Sequence, residues 1–347
     1  MRLNSNLRTP AKTVLLTGAG FTKNFGGFLG SEMWAIILNQ KEVTNNPRLR
    51  NALLEDLNYE SVYDTILYSG QFENREKLTF LSATIKAYVE LHENILKSNS
   101  RSISIHAEAC REIVGRFKGV GKERGFFFTL NQDLFIERYF STDNCQITIP
   151  GLHHQDWFNG KLGLPLDDKG IVHLPEEARV GQLKQSFWNK GMENYCYVKL
   201  HGSFGWWGQS GEAALVIGNT KSHMIEQEPL LRWYFELFEE VLSQPNIKLV
   251  IIGYGFRDSH INKVIANAVQ LNGLKLFVVS TLQPSEFKDL LHPIPGSLEM
   301  QVLGHLCDIW KGLAGYYCAS VNDLFVQGRS ELTPVGKSLF RRVELIE

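Results

Sequence analysis

Along this chain, short unbroken apolar runs alternate with longer stretches whose apolar positions recur every three or four residues. The first run is Val14-Leu15-Leu16, and it stops at a glycine-rich turn within residues 13–27. A continuous run of this length predicts a strand covered on both faces, as in a parallel sheet. From Ser31 the spacing becomes helical through Met33, Trp34, Ile36, Ile37 and Leu38, with Ser31 as the expected cap. Two short helical patterns fall within residues 48–69. A long one over residues 75–97 carries Leu78, Leu81, Ile85, Tyr88 and Ile95 as its core-facing stripe, and another helix is expected over residues 102–117.

The next strand pattern, residues 125–130, therefore lies far downstream, and a helical insertion of about residues 31–122 is predicted in an otherwise strand-first domain. Apolar helical sequence follows at residues 134–140. Residues 150–194 are read as an irregular, site-covering segment, because so long a connection usually lines or covers a site. Strand patterns then return before His201, at residues 247–252 and at residues 275–280, separated by helices over residues 228–243 and 259–271, the second with Asp258 as its cap. A last strand is expected at residues 301–303, with helices beyond it. This alternation predicts one α/β domain over residues 1–347, a Rossmann-like doubly wound parallel sheet with the insertion after its first strand.

Composition narrows the function classes. The 347 residues are 44% hydrophobic, enough for a large core, and 36 Lys and Arg nearly cancel 37 Asp and Glu, so no global charge favours nucleic acid or an anionic membrane. The amino-terminal residues lack an apolar leader run and no later stretch is long enough for a membrane span, which predicts a cytoplasmic protein. Five cysteines (Cys110, Cys145, Cys196, Cys307 and Cys318) include no C-x-x-C pair, which argues against a disulfide framework and against bound zinc.

Candidate chemistry gathers where strands end. Gly18 and Gly20 lack a Cβ, which lets the backbone turn tightly and bring its amides close to a pyrophosphate. The dinucleotide fingerprint fails three residues later, where Lys23 replaces glycine, and no second strand with an acidic tip follows, so hydride transfer is disfavoured. Asn131 and Asp133 follow the strand at residues 125–130. Helix capping would account for Asp133 but not for Asn131. His201 ends a strand just before Gly202 and is the residue type best tuned for proton transfer near neutral pH. His153, His154 and His173 lack carboxylate or cysteine partners at ligand spacing and read as loop histidines. Gly253 and Gly255 form a second glycine turn after a second strand.

Together, Gly18-Ala19-Gly20-Phe21-Thr22, residues 129–133, Lys199-Leu200-His201-Gly202-Ser203 and Gly253-Tyr254-Gly255 resemble, in order and spacing, the sirtuin-like NAD-binding domain. The chain is most similar to the bacterial branch of anti-phage defence, whose members hydrolyse NAD instead of deacylating proteins. The resemblance implies that Gly18, Ala19, Gly20, Phe21 and Thr22 hold the pyrophosphate, that Asn131 and Asp133 lie at the nicotinamide and its ribose, and that His201 is the catalytic histidine. Gly253, Gly255 and Ser280 would flank the phosphates and the adenosine ribose. NAD would be the substrate and zinc would be absent, since the family's four-cysteine module is missing. An NAD hydrolase that harms its host implies control by homo-oligomer assembly or by an activating partner such as a defence-system ATPase. A non-catalytic sensor of NAD or ADP-ribose derivatives, and a deacylase or ADP-ribosyltransferase, are the rival readings.

Overall fold

The protein is described from a computed structural model covering residues 7–101, 105–140, 147–152, 172–189, 194–292 except 210, 212 and 219, 304–326 and 330–347. After the short β1 (Thr9–Pro10), strand β2 (Thr13–Thr17) is buried at every position, as its unbroken apolar run requires. Helix α1 (Ala19–Lys23) follows the glycine turn, and α2 (Gly30–Leu38), α3 (Lys41–Thr44), α4 (Pro47–Glu55), α5 (Tyr59–Tyr68), α6 (Asn74–Arg101) and α7 (Ile105–Arg116) lead to β3 (Glu123–Thr129). Then come α8 (Phe135–Phe140), β4 (Val172–His173), α9 (Glu177–Ser186), β5 (Tyr195–Lys199), β6 (Gly202–Trp207) and β7 (Ala213–Leu215). Helices α10 (Lys221–Gln227) and α11 (Pro229–Leu242), strand β8 (Lys248–Ile252), helix α12 (Ser259–Asn272), strand β9 (Lys275–Ser280), helices α13 (Pro284–Leu291) and α14 (Gly304–Lys311), strand β10 (Leu313–Cys318) and helix α15 (Pro334–Arg342) complete the order.

The main sheet runs β5-β3-β2-β8-β9-β10, every neighbouring pair parallel, with β1 paired to the start of β3. In chain order these six strands occupy positions three, two, one, four, five and six across the sheet, the doubly wound arrangement. Its switch point lies between β2 and β8. Their carboxyl ends carry Gly18 and Gly253, so the two glycine turns of the sequence meet where such sheets place a ligand crevice. In a small second sheet, β4-β6-β7, the central strand β6 begins immediately after His201.

Several local expectations change. Ser31 lies inside α2; the helix starts after Leu29, whose amide donates to Glu32 Oε2 at 2.8 Å. The buried stripe of α6 is Phe80, Ala83, Ala87, Tyr88, Leu91 and Ile95, whereas Leu78 is exposed. Of the expected stripe, Tyr88 and Ile95 are buried and Leu81 and Ile85 pack half-buried against the core, so Leu78 alone faces solvent. The segment read as irregular contains α9, which a mid-helix Gly181 and few apolar positions had concealed. The last strand of the sheet is Leu313–Cys318, at an edge and only partly buried, so its apolar signal is weak. Residues 301–303, His153, His154 and Cys145 lie outside the described residues. Among the described residues, no helix is long and apolar enough to cross a membrane.

Candidate functional site

The carboxyl ends of β2, β3, β5 and β8 form one edge, and each delivers a candidate residue to it. Gly18 and Gly20 donate their amides to the carbonyls of Ile252 (3.1 Å) and Gly253 (2.9 Å), tying the first glycine turn to the second. A Cβ on Gly18 would lie 2.7 Å from the Gly253 carbonyl oxygen, and one on Gly20 would lie 2.8 Å from the Gly253 Cα. Gly253 itself has φ +67°, and a Cβ there would meet the Phe21 amide nitrogen at 2.3 Å. Interlocking of two backbone turns is thus one reason that these positions are glycine. Ala19 is exposed at the top of the turn, while the Phe21 ring is buried between Phe25 and Phe127 and belongs to the core. Gly255 is exposed, and a Cβ there would meet only Arg257 Cγ, at 4.0 Å, so packing does not demand glycine there.

Asn131, only 8% exposed, reaches from β3 across to this turn. Its Nδ2 donates to the Gly18 carbonyl at 3.0 Å and to Thr22 Oγ1 at 3.3 Å, while its backbone amide donates to Thr129 Oγ1 at 3.1 Å. The Thr17 hydroxyl donates to Thr129 Oγ1 at 2.8 Å, linking the tips of β2 and β3. Asp133 Oδ1 accepts the Phe135 amide at 3.0 Å, the capping bond expected of it, and its backbone carbonyl accepts Lys199 Nζ. Lys199 also pairs with Glu137 Oε1 at 2.7 Å, both side chains fully buried. Burial pushes the Asp133 and Glu137 carboxyls up, with Lys199 opposing. Ser280 ends β9, half-buried, and its Oγ accepts the Leu282 amide at 3.3 Å.

His201 occupies the turn between β5 and β6 and is 3% exposed. Gly202 beside it has φ +69°, and a Cβ there would lie 1.9 Å from the Ala214 carbonyl oxygen, so β7 can pack under the histidine only if glycine follows it. Gln132 holds the same turn to β3: its Nε2 donates to the His201 carbonyl at 3.4 Å and to that of Val216, its backbone carbonyl accepts the Phe204 amide at 2.8 Å, and its Oε1 accepts the Tyr88 hydroxyl of α6. Asn131 and His201 are thereby fixed on neighbouring strand ends.

The structure adds His260, Lys221 and Glu60, which sequence reading passed over, and gives Asp258, read there as a helix cap, a different partner. His201 Nε2 lies 2.9 Å from His260 Nε2, with ring centroids 5.1 Å apart. Asp258 occupies the N-cap position of α12 but makes no side-chain capping bond; its Oδ1 instead accepts Lys221 Nζ at 2.6 Å. Lys221 also pairs with Glu60 of α5 at 2.8 Å, so the helices between β2 and β3 reach this cluster. The turn holding these residues is pinned by Asn262, whose Nδ2 donates to the Phe256 carbonyl at 2.8 Å and whose Oδ1 accepts the Tyr254 hydroxyl at 2.9 Å. A histidine two residues after an N-cap aspartate was the available signal for His260, yet nothing local ties it to His201, 59 positions away.

Burial drives His201 down to about 3, against the opposing pull of Asp258, and His260 to about 4 by the same balance. Both imidazoles are therefore neutral at pH 7, and a 2.9 Å contact between two neutral ring nitrogens requires a proton on one of them. Burial opposes ionisation of Asp258, but His201 when protonated and the Lys221 ammonium hold its carboxyl below the usual range. Potential ligand atoms of His201, Asp258 and His260 lie within 4.8 Å of one another. Lys221 already places a positive charge against that carboxylate, so the donor set does not suit a cation.

Compared with known families, residues 125–292 match the model described as a SIR2-like domain. The match spans β3 to α13 and includes Asn131, Asp133, His201, Gly253, Gly255 and Ser280, while Gly18, Ala19, Gly20, Phe21 and Thr22 precede it. No curated protein matches the chain.

Proposed function

From the premise that this chain carries a SIR2-like domain and so has an NAD-related function, we propose that it hydrolyses the bond between nicotinamide and ribose in NAD, releasing nicotinamide and ADP-ribose. The observation that carries this reading is the placement of Asn131 and a neutral, buried His201 on the adjacent ends of β3 and β5, at the sheet edge that also carries Gly18 and Gly253. The leaving group is already cationic, so bond cleavage needs no acid and passes through an oxocarbenium-like state. What helps is orientation and a base. Asn131 spends its Nδ2 on the glycine turn and Thr22, which leaves its side-chain carbonyl oxygen to accept from a ribose hydroxyl or the attacking water. His201, neutral at working pH, takes the water's proton.

In this reading the exposed backbone at Ala19 and Gly255, with Gly18, Gly20, Phe21, Thr22 and Gly253 supporting it, meets the pyrophosphate. Asp133 and Ser280 would lie toward the two riboses. Depletion of NAD during abortive infection, restrained by homo-oligomer assembly or by a partner ATPase until a phage enters, is the physiological role proposed. Incubating the purified protein with NAD and following nicotinamide and ADP-ribose by chromatography, with and without acetylated peptide, tests the activity. Peptide-independent nicotinamide release is expected; release only with peptide would make the protein a deacylase, and binding without turnover would make it a sensor.

A further inference from the structure

We infer that His260 is a positioning residue for His201, holding that imidazole in its reactive orientation and carrying the abstracted proton outward; the assignment rests on the NAD-hydrolysis reading. The contact is direct, Nε2 to Nε2 at 2.9 Å, and the two rings come from different halves of the fold. His201 is buried while His260 is only half-buried, so the pair runs from the interior of the site toward solvent. His260 is itself held: its backbone starts α12, and the Phe235 ring of α11 packs against it at 5.9 Å between centroids.

The charged surroundings complete the device. Asp258 faces both imidazoles, Lys221 of α10 binds Asp258, and Glu60 of α5 binds Lys221 from the other side. Arg257 and the hydroxyls of Tyr59, Tyr63, Tyr88 and Tyr254 also lie near this array. As water attacks the ribose carbon, its oxygen forms the new C–O bond, the bond to nicotinamide breaks with its electron pair, and one water proton passes to the imidazole pair. The pair becomes a cation shared by two rings, which Asp258 stabilises. Release of that proton to solvent through His260 restores the neutral pair, and NAD⁺ plus water has become nicotinamide, ADP-ribose and H⁺.

Two variants test this, each checked by thermal unfolding. His260→Ala should lower kcat by roughly 10²-fold with little change in KM, since a reacting group misplaced by about an ångström loses about that much. It should also raise the acid limb of the pH–rate profile, because His201 becomes better solvated, and added imidazole should restore turnover. His260→Gln retains a hydrogen-bonding partner without a titrating ring; it should keep the orientation and the KM, recover part of kcat and not respond to imidazole. In ¹⁵N-histidine NMR, His260→Ala should shift the His201 titration upward in the folded protein. If the wild type releases no nicotinamide, the NAD reading fails while the NMR result still decides the pairing. Unchanged kcat, pH profile and His201 titration in folded His260→Ala would overturn the inference. Loss of wild-type activity in EDTA would overturn it too, by making the cluster a cation site.

Discussion

At the residue scale, the two glycine turns separate binding from folding. Because a Cβ on Gly20 would lie 2.8 Å from the Gly253 Cα, Gly20→Ala should destabilise the protein by about 1–3 kcal/mol through overpacking, before any ligand is added. Gly255→Ala, with open space around it, should leave the melting temperature within error, so any change in NAD affinity there reports on the ligand. Thermal unfolding of both variants, then calorimetric titration with NAD, checks this contrast. Removal of the base is a separate lesion. His201→Ala should lower nicotinamide release by about 10²–10⁴-fold, the usual cost of losing a general base, and near-normal release by the folded variant would remove His201 from the mechanism. Asn131→Asp replaces an amide that donates to the Gly18 carbonyl with a carboxylate that repels it, and should unfold at a lower temperature than Asn131→Ala, since a buried acceptor facing an acceptor costs more than an empty place.

At the element scale, β5 and α8 are joined by the buried Lys199–Glu137 pair, just behind Asp133. Lys199→Met should cost on the order of 3–5 kcal/mol, because it leaves Glu137 buried without its cation. The double variant Lys199→Met with Glu137→Leu should recover most of that loss, since paired apolar replacements of a buried ion pair are often neutral or stabilising. Denaturant titration of the two single variants and the double gives the comparison. Equal destabilisation in the double variant would mean that Lys199 acts mainly by holding the Asp133 carbonyl.

For the whole molecule, the depressed imidazoles couple stability to pH. His201 and His260 bind a proton in the unfolded chain near the ordinary value of 6.5 but in the fold only near 3 and 4. Between those limits the unfolded state holds more protons, so their contribution to stability is complete above about pH 6.5 and is lost as pH falls toward 4. Asp133, Glu137 and Glu60 have carboxyls raised by burial and act in the opposite sense over the acid range. The useful measurement is therefore a difference: melting temperature against pH for wild type and for His201→Asn/His260→Asn. The double variant should show a shallower fall on acidification; parallel curves would mean that the imidazoles are not buried neutral in the native protein.

The amino-acid order by itself determined most of the frame. Unbroken apolar runs marked β2, β3, β8 and β9 because strands of a covered parallel sheet are apolar on both faces, and glycine or polar residues after those runs marked the edge where Gly18, Asn131, His201 and Gly253 gather. Such signals are local, carried by neighbouring positions. Weak runs escaped for the same reason: β10 is an edge strand with half-buried positions, and α9 has little apolar face. Tertiary structure alone decided what crosses between segments. That Gly18 and Gly20 answer to Gly253, that the Asp258 side chain turns from its helix end to Lys221, that Glu60 of α5 reaches the same lysine, and that His201 meets His260 all follow from β2 lying between β3 and β8, with α12 following β8. Strand order sets those distances, and no spacing along the chain encodes them.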